Sequence, residues 1–236
     1  MSRERGETPG TDAQGPPDAA RLPRPVTSGV LAGLMLVVIA GSAWLATRPG
    51  AGDAQAGVVT WLNHPPQPLA AVLAVTNPFF RPLSLTVVAV VLVGWVLLTA
   101  GSAWARREVL RATLAGLVLA EAMAQILKRS GHQPRPSAAI PGLDMHGYPK
   151  DPLGYAYPSA HTAVAVALVS ALWPWMSRPQ RIAGVAVAVL IALNRIYIGA
   201  HWPLDVVGGA AIGLLSGSIC WLVAAWWPIP PQRGGV

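Results

Sequence analysis

The sequence predicts an all-α fold, a polytopic membrane bundle of six transmembrane helices plus a short interfacial helix. Three observations predict it. Hydrophobic residues make up 53% of the 236-residue chain and charged residues only 11%, against about a quarter charged in soluble domains. Apolar runs recur at the length a bilayer demands, about 20 residues at about 1.5 Å each for a core of about 30 Å. The cationic residues behind the net charge of +7 stand at the ends of these runs. They form no stripe interleaved with aromatics, which excludes nucleic acid as a partner.

Residues 1–25 are rich in Pro, Gly and charge and too poor in apolar side chains to build a core, so they read as a disordered cytoplasmic tail. Residues 26–227 form the membrane-embedded domain, and 228–236 a second cytoplasmic tail. The six apolar stretches cover residues 26–47, 83–103, 109–127, 159–175, 182–198 and 204–226. Between the first two, residues 52–73 mix Val58, Val59, Trp61 and Leu62 with polar residues and reach a Pro-rich exit at Pro65, Pro66 and Pro68. That pattern predicts the interfacial helix. Ala54-Gln55-Ala56 within it resembles a signal-cleavage site.

Arginines and lysines in the short loops set the orientation. One side receives Arg3, Arg5, Arg21, Arg24, Arg106, Arg107, Arg111, Arg178, Arg181 and Arg233, the larger group. Both termini are therefore expected in the cytoplasm. Trp104, Trp173, Trp175, Trp226 and Trp227 are expected to form an aromatic belt at the inner helix ends. Cys220 is the single cysteine and lies in an apolar run, so neither a disulfide framework nor a Cys-based metal site exists.

With six alternating spans, the ends of the third and fifth and the starts of the fourth and sixth all face outside. Those four ends carry nearly every unusual polar residue. The third span runs into Lys128, one of two lysines in the chain, and then Arg135-Pro136. The fourth opens with Pro158-Ser159-Ala160-His161. There Ser159 is placed to cap a helix whose free N–H groups and positive dipole end suit an anion. The fifth ends at Asn194-Arg195, and the sixth opens with His201-Trp202-Pro203-Leu204-Asp205. Asp205 follows His201 by one helical turn, a spacing that lets it accept the Nδ1 proton and leave Nε2 free. Taken singly, Lys128 also reads as a snorkelling helix-end cation, Ser159 as an ordinary cap, and His201–Asp205 as a structural hydrogen bond.

The ordered trio Lys-x6-Arg-Pro, Pro-Ser-x-His and Arg-x5-His-x3-Asp resembles the phosphatidic acid phosphatase type 2 superfamily over about residues 50–226. The resemblance implies that Lys128, Arg135, Ser159 and Arg195 hold phosphate. It makes His201 the nucleophile, Asp205 its orienting carboxylate and His161 the general acid. Two positions depart from the family pattern: Ala160 stands where Gly is usual before the His, and Asn194 where Ser is usual before the Arg.

These residue types suit phosphoryl transfer, whose transition state spreads charge over three equatorial oxygens. Three cations and a helix start meet that charge without a metal. Asp144, Asp151 and Asp205 are too few and scattered for a two-metal clamp, so neither metal nor cofactor is expected. The expected activity is hydrolysis of a membrane lipid phosphate or pyrophosphate at the extracytoplasmic face through a phosphohistidine. Family candidates are polyprenyl pyrophosphate, phosphatidylglycerophosphate, phosphatidate and diacylglycerol pyrophosphate, with the first favoured on compact size and outward orientation. Transfer of the phosphoryl group to a lipid hydroxyl is the alternative. A transporter or scaffold would carry ionisable residues deep in several spans, and here only Glu121 lies so. Its expected part is structural or in tuning the site. His132 and His146 read as ordinary residues of the long loop after the third span, itself expected to be a lid or headgroup-recognition element.

Overall fold

The computed structural model describes residues 23–80, 82–146 and 154–226, and among them all regular structure is helical. Most of both expected tails, and Tyr148, Pro149, Lys150, Asp151 and Pro152 of the outer loop, lie outside the described residues. In order, the helices are α1 (Pro25–Ala46), α2 (Ala51–Asn63), α3 (Gln67–Thr76), α4 (Pro82–Thr99), α5 (Ala103–Gly131), α6 (Pro136–Ala139), α7 (Ala160–Leu172), α8 (Arg178–Tyr197) and α9 (Pro203–Trp226). Among the described residues four helices are long and apolar enough to cross a membrane: Pro25–Ala46, Ala103–Ser130, Arg178–Tyr197 and Pro203–Trp226. Thr86–Thr99 and Ala160–Trp175 are shorter apolar helices.

Three local differences from the sequence reading have physical causes. The expected single interfacial helix is two helices, because Pro65-Pro66 removes a donor and pushes the preceding residue out of helical geometry. α5 starts earlier than expected, at Ala103, where the Ser102 hydroxyl accepts the Ala105 N–H at 3.1 Å. Its first turns carry Arg106, Arg107, Glu108 and Arg111, which end an apolar run without ending a helix. The expected tryptophan belt is mixed. Trp104 and Trp175 are buried in a cluster with Val96, Leu172 and Cys220, whereas Trp226 is exposed and Trp173 lies beneath the Arg181 guanidinium, 4.9 Å from its ring centre.

α9 is the centre of the bundle and packs most extensively against α7 and α1. The α7 contact is a glycine ladder, Gly209-x3-Gly213-x3-Gly217. A Cβ at Gly209 would lie 2.5 Å from the Ser159 carbonyl, and one at Gly213 would lie 2.6 Å from Val166 Cβ and 2.7 Å from the Ala163 carbonyl. Small residues at this spacing let two membrane helices approach backbone to backbone. At the seam, the Ser170 hydroxyl donates to the Gly213 carbonyl at 2.9 Å. The close approach fixes the start of α7 against the start of α9, where the Ser159 N–H donates to the Asp205 carbonyl at 3.0 Å.

Candidate active site

Each predicted group is placed by a helix end. α8 finishes at Tyr197, and Gly199 at φ 72° makes the left-handed turn that glycine adopts without a Cβ clash. The Ala200 and His201 N–H groups then fold back onto the Arg195 carbonyl at 3.2 and 3.1 Å. This turn puts Arg195 and His201 on one wall. Opposite stand Lys128 near the end of α5, Arg135 just before α6, and His161 in the first turn of α7. All five side chains line one cavity of about 470 Å³.

Asp205 and Ser159 do not line that cavity; both are fully buried behind it. One Asp205 carboxylate oxygen accepts the Trp202 N–H at 2.7 Å and lies 3.4 Å from His201 Nδ1, so the imidazole contact is the longer of the two. Ser159 occupies the cap position of α7, yet its side chain makes no capping bond and accepts the Thr162 hydroxyl at 3.0 Å instead. The first N–H groups of α7 thus have no partner from their own helix or its cap side chain. They start beside Ala160 and His161 at the cavity wall.

The electrostatics are one-sided. Arg195 is 1% exposed, and among the described residues its guanidinium donates only to the Asn194 side-chain oxygen at 2.7 Å, with Nε and Nη1 unsatisfied. A buried guanidinium without a carboxylate is costly unless an anion completes it. Burial, reinforced by the positive charges of Lys128 and Arg135 and by His161 and Arg195, holds the His201 imidazole well below the usual histidine range. The ring is therefore neutral at physiological pH, the form that attacks an electrophile.

Several residues that frame the site were given no role in it from the sequence. Asn194 orients Arg195 and also donates to the Leu73 carbonyl of α3 at 3.2 Å. Trp202 is buried, and its indole N–H donates to the Pro134 carbonyl at 2.9 Å. Gln55, seen only within a cleavage-like tripeptide, accepts the Leu204 N–H at the start of α9 at 2.9 Å. Asn63 donates to the Asp144 and Tyr197 carbonyls at 2.8 and 2.7 Å, tying α2 to the outer loop and to the end of α8. His132 packs edge-on against Tyr155, and His146 stacks on Tyr197. Neither histidine lines the cavity.

The family model described as the PAP2 superfamily matches residues 109–228, which hold all seven predicted site residues. An undecaprenyl-diphosphatase of Sulfolobus acidocaldarius is 37% identical over 81 residues, 32% of this chain and 31% of that protein. The chain thus spans under a third of that relative's length. A decaprenylphosphoryl-5-phosphoribose phosphatase of Mycobacterium tuberculosis is 32% identical over 133 residues, 54% of this chain and 70% of that protein. Among solved structures, a transmembrane PAP2-type phosphatidylglycerolphosphate phosphatase from Bacillus subtilis shares the fold. It has a TM-score of 0.57 and 18% identity, covering 83% of this chain and 93% of that one. The apolar helices and these relatives describe a multi-pass membrane protein. With half the chain matched by its model and the three helix-end motifs around one cavity, this protein belongs to the PAP2 superfamily.

Proposed function

We propose that the chain hydrolyses a lipid phosphate monoester or pyrophosphate, without a metal, at the extracytoplasmic ends of six membrane spans. The observation that carries this reading is Arg195, buried with two unsatisfied guanidinium nitrogens in the same cavity as Lys128, Arg135, His161 and His201. Below these polar groups the cavity continues between α4, α5, α7 and α8 along Leu92, Leu117, Val164, Leu168 and Val187. A phosphate at the top and hydrocarbon below is the layout of an amphiphile held at a membrane surface.

In the proposed reaction Lys128, Arg135, Arg195 and the α7 start hold the equatorial oxygens. His201 Nε2 attacks phosphorus, and the P–O bond to the leaving group breaks as His161 protonates the departing oxygen. Water, deprotonated by His161, then displaces His201 to release inorganic phosphate. Asp205 holds the tautomer through Nδ1, and Ser159 supports the site from behind. The relatives' named substrates include prenyl diphosphates and a phosphorylated sugar on a prenyl phosphate, which are amphiphiles of this general kind.

The test is phosphate release by purified protein from short-chain lipid phosphates in micelles containing chelator. Activity with chelator and trapping of acid-labile, base-stable labelled protein support the reading. Activity lost with chelator and restored by a divalent ion removes the metal-free mechanism, and release undiminished in His201→Ala removes the nucleophile. A labelled lipid product in place of inorganic phosphate identifies a phosphotransferase.

A further inference from the structure

Glu121, Gln125 and Lys128 stand at i, i+4 and i+7 on α5, and all three line the cavity. The Gln125 side-chain amide donates to Glu121 Oε1 at 2.7 Å, and both residues are exposed. Away from the cationic groups the rest of the cavity lining is mostly apolar, with Leu92, Leu117, Val164 and Leu168, and includes Thr86. Glu121 forms no salt bridge among the described residues. Glu108 on the same helix shows the contrasting solution: fully buried, it is closed off by Arg111 at 2.6 Å. An ionisable group at membrane depth is costly and marks function by default, and this one opens into the lipid cavity.

We propose that Glu121, braced by Gln125, recognises a hydroxyl group carried on the lipid within a few atoms of the phosphate ester. The inference rests on reading the cavity as a lipid-phosphate site. With phosphate at Lys128, Gln125 lies about 4.5 Å and Glu121 about 10.5 Å farther down the helix axis, from the rise per residue. A glycerol or sugar hydroxyl next to the phosphate falls in that interval and gives the carboxylate a donor. A bare prenyl chain puts only hydrocarbon there, stripping water from Glu121 without replacing its hydrogen bonds. The pair thus turns preference away from the prenyl pyrophosphate favoured on sequence.

The experiment measures kcat/KM for phosphate release from four lipids in matched micelles: dodecanoyl lysophosphatidate, its 2-deoxy counterpart, dodecyl glucoside 6-phosphate and farnesyl phosphate. Wild type is expected to prefer the hydroxyl-bearing lipids over the deoxy and farnesyl lipids by about tenfold or more. The glycerol and sugar arms show which source of hydroxyl fits better. Glu121→Leu is expected to bring the ratio to within about twofold of one, while Glu121→Gln, which keeps an acceptor, gives an intermediate ratio. Because each ratio compares substrates in one sample, a lower folded fraction cancels. Equal wild-type turnover of lysophosphatidate and its deoxy form overturns the inference while leaving the phosphatase reading intact. So does an equal loss on all four lipids in Glu121→Leu, which assigns the residue to support of Lys128. Wild type that releases phosphate from none of them overturns this inference, and if farnesyl pyrophosphate added as a control also yields none, the phosphatase reading falls with it.

Discussion

The two flanks of the bundle are built on opposite rules. On one side α9 and α7 meet through Gly209, Gly213 and Gly217, leaving no room for a single methyl group. On the other, α4 is hydrogen-bonded at its C-terminal end, where buried Gln180 donates to the Trp95 carbonyl and the Thr99 hydroxyl at 3.2 and 3.0 Å. Toward its N-terminal end α4 lines the cavity with Val88, Ala89 and Leu92. Its Gly94 has nothing within 4 Å of where a Cβ would be. The difference teaches where rigidity is needed. His161 and Asp205 ride on the two helices of the closed seam, while the flank beside α4 holds the apolar part of the cavity.

The largest effect is expected beside the start of the seam. His201→Ala should lower kcat by at least about 10³-fold, as loss of a nucleophile does, with the melting temperature in detergent nearly unchanged. Retention of more than a few per cent of activity would mean that the seam positions something other than the nucleophile.

Next comes charge. Arg195→Lys keeps the positive sign but loses the planar fork, and a loss of about 10²-fold in kcat/KM is expected for one oxyanion-stabilising group. The same residue bears on pH. Protonated His201 cannot attack, and its burial among cations holds it well below the usual histidine range, so the acid limb of kcat/KM should lie below about pH 6.5. Removing a neighbouring charge with Arg195→Gln should move that limb upward, toward the unperturbed value. An acid limb that stays in place would separate Arg195 electrostatically from His201.

Much of the cavity was legible in the sequence because helix ends are local. Lys128, Arg135, His161, Arg195 and His201 each lie within a few residues of the end of an apolar run, so alternation of spans puts them on one side. What escaped reading depends on partners far along the chain. Gln55 bonds a residue 149 positions away and Asn63 one 134 positions away, and no local pattern marks a polar residue for such a bond. Asn194 appeared as a departure from the usual Ser, yet its longer side chain is what reaches both Arg195 and α3. The glycine ladder was visible at four-residue spacing but carries no weight in a count of apolar residues. The start of α5 was missed for the converse reason, since Arg106, Arg107, Glu108 and Arg111 depress hydropathy while favouring helix.

The smallest effects test the two flanks against each other. Gly213→Ala forces a methyl group against Val166 and the Ala163 carbonyl, and overpacking of this kind costs about 1–3 kcal/mol. Gly94→Ala on α4 meets open space at a helical position, where alanine is favoured by about 0.5–1 kcal/mol in the helix interior. Thermal unfolding of the two variants in one detergent should therefore shift in opposite directions, with Gly94→Ala keeping full turnover of a short-chain lipid phosphate. The sign matters more than the size, because detergent alters the unfolded reference for both. Were both substitutions to destabilise equally, α4 would be packed as tightly as the seam. The cavity beside it would then be too constrained to admit a lipid chain from the side.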